Sequence, residues 1–243
     1  MIPKVIHYCW LSGDAYPPKI VFCINSWKKY LPDYDIVLWD RSRFDIESCL
    51  WVKQAYDCKK YAFAADYIRL WVLYHYGGIY LDSDVEVLKP FDRLLNQPYF
   101  FGVESNEDKF LEAAVMGVEP RNEFIHQCLM YYEGRSFLSG SGMDLTPLPR
   151  IMFKFLNDPI IISNENEFAL GINQLQLYTK EFFSPKNGVN GELSSLTKNT
   201  YTIHHYNASW YPAKKKIYIY ISKCLGGNVA KKLSKLYHQI IGR

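Results

Sequence analysis

The chain has 243 residues, 49% of them hydrophobic, with a formal net charge of +3, so it can bury a full core and we expect one main domain. No apolar run approaches the roughly 20 residues needed to cross a bilayer, and no nucleic-acid-binding module is recognisable. The six cysteines, at positions 9, 23, 49, 58, 128 and 224, form no C-x-x-C pair, and with no signal peptide in front of them we expect reduced thiols in a cytosolic protein.

Hydrophobic patterning predicts strands and helices in alternation. The predicted strands are residues 5–10, 35–39, 79–81, 99–103, 111–117, 160–163 and 201–205, and the predicted helices are residues 17–30, about 54–76 and 123–132. A short extended segment follows the third strand at residues 85–88. This β/α alternation is typical of an α/β fold with a mainly parallel central sheet and helices on both faces.

The helix that ends near Tyr76 carries two charged residues close to its start. Asp66 and Arg69 are three residues apart, so they share a helix face. Gly77 and Gly78 then end the helix. The next strand starts from this glycine turn.

That strand ends in two carboxylates, Asp82 and Asp84. Side chains one residue apart on a strand project to the same side, and two like charges held that close favour a bound cation. Oxygen ligands suit Mg²⁺ or Mn²⁺, which keep positions open for substrate phosphates. In an open α/β sheet, ligands bind at this carboxyl end of the strands. The pattern predicts a site for a metal-bound diphosphate; by itself, an Asp-x-Asp sequence is more often a solvated turn.

The charge is unevenly distributed along the chain. Nine basic residues and no acidic ones follow Glu192, so residues 1–192, with 19 basic and 25 acidic residues, have a net charge of −6. Val229, Leu233, Leu236 and Ile240 fall at helical spacing within the basic tail. One interpretation is a helix that lies on anionic lipid; the other is a solvated helix packed on the rest of the protein, and we slightly favour the lipid.

Three segments resemble glycosyltransferase family 32, the DXD-containing sugar transferases that include yeast-type mannosyltransferases, bacterial capsule and O-antigen transferases and, more distantly, clostridial glucosylating toxins. Residues 64–90, AADYIRLWVLYHYGGIYLDSDVEVLKP, are similar to the family signature. Residues 2–10 resemble its opening strand, and residues 204–210, HHYNASW, resemble its closing motif. The resemblance implies a GT-A type nucleotide-sugar-binding fold, with a catalytic domain at residues 1–212 and the basic segment at residues 213–243.

The resemblance also implies roles for individual residues. Asp84, Asp82 and His204 would be the metal ligands, holding Mn²⁺ or Mg²⁺, with Asp82 reaching the ribose or acting on the metal through water; His205, on the opposite face, is the weaker candidate. The implied donor-binding residues are Trp10, stacked on the base, with His7, Asp66, Arg69 and Tyr80, and the residues of a closing lid, Asn207, Ser209 and Trp210.

This sequence departs from the family pattern at two places. Ser141-Gly142 replaces the usual Gly-Pro of an acceptor loop, in which Asp144 is a candidate contact on the front face of the sugar. Glu112 lies in a segment where many members have an asparagine. These departures affect the expected acceptor and sugar contacts more than the metal site.

The expected function is that of a retaining glycosyltransferase. It would move a hexose from a UDP- or GDP-linked donor to a glycan or lipid-linked saccharide in polysaccharide biosynthesis, in the cytoplasm or at the inner face of a bacterial plasma membrane, with no nucleic-acid partner. Two alternatives stay open: a metal-dependent phosphohydrolase or nucleotidyltransferase, and a non-catalytic sugar-binding protein on the same fold. The phosphohydrolase class needs further acidic ligands or a phosphate-binding glycine-lysine loop, which the sequence does not show.

Overall fold

The computed structural model describes residues 1–105, 110–140, 142–187 and 191–206 of the protein. The strands are β1 Val5–Cys9, β2 Asp35–Trp39, β3 Gly78–Leu81, β4 Val85–Val87, β5 Tyr99–Val103, β6 Leu111–Val118, β7 Leu138–Ser139, β8 Gly142–Met143, β9 Ile160–Ile162, β10 Gln176–Tyr178 and β11 Thr202–His204. The helices are α1 Pro18–Tyr30, α2 Leu50–Asp57, α3 Tyr61–Tyr76, α4 Glu123–Met130 and α5 Leu148–Phe153. None of these helices is both long and apolar enough to cross a membrane.

The central sheet has the strand order β2-β1-β3-β6-β5-β10-β9. Its neighbouring strands are parallel except at β6, which runs antiparallel to both β3 and β5. Two strands, β4 and β11, pair outside this sheet as an antiparallel ribbon. The predicted α/β fold with a mainly parallel central sheet is confirmed, and the GT-A type that the resemblance implies stays a prediction.

The sheet separates two hydrophobic cores. Because side chains alternate along a strand, Tyr80 of β3 enters the core beneath α2, α3 and α4, whereas its neighbours Ile79 and Leu81 enter the core that contains α1. Phe101 and Phe100 of β5 divide in the same way. Strands buried on both faces are near-continuously apolar, and every residue of β6 is buried.

Two sequence predictions of local structure were wrong. The helix predicted at about residues 54–76 is two helices, because Lys59 adopts a left-handed conformation with φ of 55° between α2 and α3. This turn contains neither glycine nor proline, so the sequence carries no breaker signal there. The strand predicted at residues 79–81 is confirmed as β3, but the strand alternation applied to Asp82 and Asp84 was wrong, because both carboxylates lie in the turn before β4.

The glycine turn between α3 and β3 requires glycine for both conformation and space. Gly77 has φ of 64°, and a Cβ there would lie 2.7 Å from the backbone nitrogen of Pro120. Gly78 has φ of 92°, and a Cβ there would lie 2.8 Å from the carbonyl oxygen of Val5. The turn thereby brings β3 alongside β1, with which it pairs in parallel.

Gly77→Ala should destabilise the protein more than Gly134→Ala. Both glycines have φ of 64°, but a Cβ at Gly134 meets nothing within 4 Å. A positive φ costs alanine about 1–2 kcal/mol. Gly77, with ψ of −157°, lies in a region nearly confined to glycine, where the cost is about 1–3 kcal/mol, and crowding against Pro120 should add about 1–3 kcal/mol there. Urea unfolding measures both losses. Equal losses would show that the close approach of the two backbones carries no energetic weight.

Candidate active site

A cavity of about 730 Å³ opens at one edge of the central sheet. Its walls come from the segment after β1, the start of α3, the turn after β3, the beginning of β6 and the end of β11. The carboxyl ends of β1 and β3 meet at this edge because these strands are parallel. Since β6 is antiparallel, its first residues reach the same edge, and the Asp82 backbone N–H donates to the Ala114 carbonyl at 2.9 Å. Side chains from distant parts of the chain therefore converge here.

Asp82, Asp84 and His204 form a group that could hold a metal ion. One ligand atom from each lies within 4.8 Å of the others. His204 reaches the carboxylates because β11 pairs with β4, which places it directly opposite Val85, the residue after Asp84. Both carboxylates face the same cavity, as predicted from alternation along a strand, although they lie in a turn rather than in a strand. Their chemistry, two carboxylates and an imidazole, fits Mn²⁺ better than an all-oxygen ion such as Mg²⁺.

Arg69 connects the carboxylates on the inner side of the cavity. One guanidinium nitrogen lies 3.1 Å from a carboxylate oxygen of Asp66 and 3.1 Å from one of Asp82. The other donates to the Ala113 carbonyl at 2.8 Å. The guanidinium lies 4.6 Å from the centre of the Tyr80 ring, and the Tyr80 hydroxyl donates to Asp82 at 3.1 Å. Arg69 is 6% exposed, so this positive charge is fixed inside the protein.

One buried arginine does not fully balance these carboxylates. Burial raises the pKa of Asp66 to about 6, with Arg69 opposing the rise and Asp82 adding to it. Burial also raises the pKa of Asp82, again against Arg69 and with a contribution from Asp84. A carboxyl group whose pKa is raised gains from any additional positive charge nearby. The cavity is therefore suited electrostatically to a cation.

His204 lies between two carboxylates. Its Nε2 is 3.4 Å from Asp84, and its Nδ1 is 3.4 Å from Glu112. Burial lowers the pKa of His204, but Glu112 and Asp84 outweigh that effect and raise it well above the usual value. Sequence reasoning noted Glu112 only as a departure from the family pattern and missed this contact. An acidic residue inside an otherwise apolar strand was the available signal.

Several other predicted residues line the same cavity. Trp10 follows β1, and its indole nitrogen donates to the Asp14 carbonyl at 2.7 Å. Its ring meets that of Tyr16 edge-on, with centroids 5.0 Å apart. Asp66, Arg69 and Tyr80 are also in the wall. Their roles in donor binding stay predictions, and the structure adds that they and the three candidate ligands share one cavity.

His7 requires a correction, because it is not in the cavity wall. Its side chain is buried under the sheet edge, and both ring nitrogens have partners in the protein. The Trp39 indole donates to Nδ1 at 3.1 Å, so Nε2 carries the hydrogen and donates to the Gly77 carbonyl at 3.0 Å. Burial lowers the pKa of His7 to about 4. This neutral histidine fastens the glycine turn to β1, and its role in donor binding stays a prediction.

Two further candidates also lie outside the cavity wall. Asp144, the predicted acceptor contact, follows β8, and its carboxylate accepts a hydrogen bond from the Thr146 backbone N–H at 3.0 Å. Its predicted role has no support in this arrangement, since its side chain closes a local turn. His205 faces away from the metal group, as predicted, and its Nε2 lies 2.8 Å from Glu86.

The predicted lid residues Asn207, Ser209 and Trp210 and the basic segment 213–243 lie outside the described residues. Those predictions therefore stay predictions.

Comparison with known proteins agrees with the resemblance of the sequence motifs. Residues 17–101 match the family model described as "Glycosyltransferase sugar-binding region containing DXD motif". Inositol phosphoceramide mannosyltransferase 3 of Schizosaccharomyces pombe is 36% identical over 130 residues, which cover 52% of this chain and 36% of that protein. The uncharacterized glycosyltransferase L373 of Acanthamoeba polyphaga mimivirus is 25% identical over 233 residues, 88% of this chain and 86% of that protein.

The chain spans about two-fifths or less of three inositol phosphoceramide mannosyltransferases of S. pombe that it matches. Among solved structures, PaToxG glycosyltransferase superposes with a TM-score of 0.44 at 23% identity, covering 63% of this chain and 68% of that one.

Arg69→Met should cost far more stability than Arg93→Met. Replacing Arg69 leaves Asp66 and Asp82 buried without their cation, which typically costs about 3–5 kcal/mol. Arg93 also pairs with a carboxylate, at 3.5 Å from Glu165, but its side chain is 82% exposed, so its loss should cost under about 1 kcal/mol. Urea unfolding at about pH 7 and about pH 5 measures both.

The deficit of Arg69→Met should shrink at the lower pH. In that variant the folded-state pKa values of the two carboxyls rise further above their unfolded values, so the folded state gains stability as they become protonated and loses it as pH rises. A deficit that is independent of pH would show that Arg69 acts by packing rather than by charge.

Proposed function

We propose that this chain, whose residues 17–101 match the model of a glycosyltransferase sugar-binding region containing a DXD motif, is a divalent-metal-dependent hexosyltransferase of that family. It would take a hexose from a nucleoside-diphosphate sugar and place it, with retention of anomeric configuration, on a glycan or lipid-linked saccharide. The observation that carries the proposal is the convergence of Asp82, Asp84 and His204 on the wall of one cavity at the carboxyl edge of the sheet.

Asp82 is held by Arg69 at 3.1 Å and by the Tyr80 hydroxyl at 3.1 Å. These contacts fix its carboxylate and support a role for Asp82 at the ribose or at a metal-bound water. Asp84 and His204, which lie 3.4 Å apart, would be the direct ligands. When bound, Mn²⁺ would supply positive charge where negative charge builds on the leaving diphosphate.

The remaining wall residues then act by position and charge. Trp10, at the end of β1, offers an aromatic face for the base. Asp66 is oriented by Arg69 and would accept hydrogen bonds from sugar hydroxyls. Arg69 fixes one positive charge beside both carboxylates before any substrate arrives, so this part of the site needs no rearrangement on binding. The bond from the anomeric carbon to phosphate breaks through an oxocarbenium-like state, which a rigid, negatively charged wall stabilises.

The relatives guide the choice of donor and acceptor. Three matching proteins of S. pombe are named inositol phosphoceramide mannosyltransferases, so a mannosyl donor and a glycolipid acceptor come first among those to test. A lipid-linked acceptor would be met at a membrane surface, which is compatible with the basic tail after Glu192. We therefore propose action at the cytoplasmic face of a membrane.

The phosphohydrolase alternative makes a different prediction for the same cavity. A hydrolase releases nucleoside diphosphate with water alone, whereas a transferase releases it at its full rate only when an acceptor is present. The described cavity wall does contain a further carboxylate next to His204, Glu112, but protein donors surround it. This arrangement favours the transferase.

A nucleotide sugar should stabilise the wild-type protein only when Mn²⁺ is present. A hundredfold excess over Kd gives about 2.7 kcal/mol of stabilisation, readable as a rise in Tm across a panel of UDP- and GDP-linked hexoses. Asp84→Asn should abolish the rise and lower transfer at least about a hundredfold, equivalent to about 2.7 kcal/mol of transition-state stabilisation.

Glu86→Gln is the matched control for that measurement. Glu86 lies two residues further along the chain but pairs with His205, outside the cavity. It should keep both the Mn²⁺-dependent rise and the transfer rate. A folded wild-type protein that binds Mn²⁺ but responds to no nucleotide sugar would contradict the transferase proposal.

The transferred sugar should keep the anomeric configuration of its donor. An α-linked donor should give an α-linked product, because the proposed reaction is retaining. NMR of the isolated product, through the coupling constants of the anomeric position, gives the configuration directly. A β-linked product from an α-linked donor would show inversion and overturn this part of the proposal.

A further inference from the structure

The carboxylate of Glu112 is the most enclosed polar group at the site that the proposed function does not use. Glu112 is the second residue of β6 and is 3% exposed. Its Oε1 accepts from the Ala114 backbone N–H at 2.9 Å. Its Oε2 accepts from the Ser184 hydroxyl and, at 3.3 Å, from the Tyr206 hydroxyl. Both oxygens also lie 3.4 Å from Nδ1 of His204.

These contacts leave Glu112 little capacity for another ligand. A carboxylate has about four lone-pair sites, and backbone, serine, tyrosine and histidine donors approach all of them. The group of candidate metal ligands accordingly contains Asp82, Asp84 and His204 without Glu112. Glu112 is thus a buried carboxyl group, enclosed by hydrogen-bond donors, that faces a histidine.

The imidazole of His204 is fixed from three directions. Glu112 meets Nδ1, and Asp84 meets Nε2 at 3.4 Å. The Tyr206 ring stacks on the imidazole, with centroids 3.9 Å apart and an interplanar angle of 29°. With the hydrogen on Nδ1 donated to Glu112, loss of the proton from Nε2 leaves a lone pair on the side of the ring that faces Asp84.

We propose that Glu112 is a positioning residue for the metal site: it holds His204 in the tautomer and orientation in which Nε2 serves as a ligand. This inference rests on the metal-dependent function proposed above. A carboxylate that accepts from the second nitrogen of a metal-binding histidine fixes the ring and makes it a more basic ligand. The same role explains why a charged side chain stands at this position of β6, where the family resemblance leads one to expect asparagine.

The test measures Mn²⁺ binding to the full chain without substrate, by the EPR signal of free Mn²⁺ during titration. Glu112→Gln keeps the size of the side chain and removes its charge, and it should weaken Mn²⁺ binding about 10- to 100-fold, the usual effect of losing such a partner. Pulsed EPR of bound Mn²⁺ supplies a second readout. The coupling to an imidazole nitrogen should be present in the wild type, absent in His204→Ala and weakened or altered in Glu112→Gln.

Glu86→Gln is again the matched control, because Glu86 pairs with the neighbouring histidine, His205, on the opposite side. It should leave Mn²⁺ affinity and the nitrogen coupling unchanged. Glu112→Asp covers the case in which Glu112→Gln fails to fold: it keeps the charge but withdraws the carboxylate by one methylene, and its Mn²⁺ affinity should lie between those of the wild type and His204→Ala.

The outcomes separate this inference from the proposed function. If Glu112→Gln and Glu112→Asp bind Mn²⁺ as tightly as the wild type, with the same nitrogen coupling, then Glu112 only fills space and the inference is overturned, while the metal site stands. If the wild type shows no Mn²⁺ binding that Asp84→Asn weakens, the metal-dependent function is overturned and the inference with it.

Discussion

The concentration of negative charge at one edge of the sheet is the constraint on which the rest of the site depends. Asp66, Asp82, Asp84 and Glu112 reach this edge from a helix, a turn and a strand, and each is largely removed from water. Ions so placed are costly unless positive charge and hydrogen-bond donors accompany them. Arg69 compensates the charges of Asp66 and Asp82. His204 lies between Asp84 and Glu112. Among the described residues, Arg69 and His204 supply less positive charge at this edge than the four carboxylates carry, and a divalent cation would offset the difference.

The fold supplies this arrangement through a single reversed strand. If β6 ran parallel to β3, its first residues would lie at the opposite edge, and neither Glu112 nor the carbonyl of Ala113 could reach the cavity. The antiparallel direction places both beside Arg69 and His204. The ribbon of β4 and β11 does the same for the end of the described chain, since its register sets His204 opposite Val85. Two pairing choices, far apart in sequence, assemble one site.

Prediction from sequence was most accurate where the chemistry is local. Period-2 and period-3.6 patterns located β2 and β5 at their observed bounds and α1 within one residue, because hydrophobic spacing reflects burial directly. The glycine turn was predictable since two consecutive glycines allow backbone conformations that other residues avoid. The break at Lys59 was not, because a lysine in a left-handed conformation leaves no mark in the pattern. The contacts of His7 were not predictable for a related reason: sequence does not reveal that the Trp39 indole and the Gly77 carbonyl bind its two ring nitrogens.

The sequence by itself determined the α/β class, the Asp-x-Asp pair at the end of a strand, the Asp66–Arg69 pair on one helix face and the resemblance of these motifs to the DXD-containing sugar transferases. All of these are encoded within short stretches, where spacing along the chain fixes direction in space. Only the tertiary structure decided that Asp82 is held by Arg69 and Tyr80, that His7 and Asp144 lie outside the cavity, and that Glu112 meets His204 across 92 residues of chain. Such contacts depend on strand order and register, which long-range packing selects and which no local pattern records.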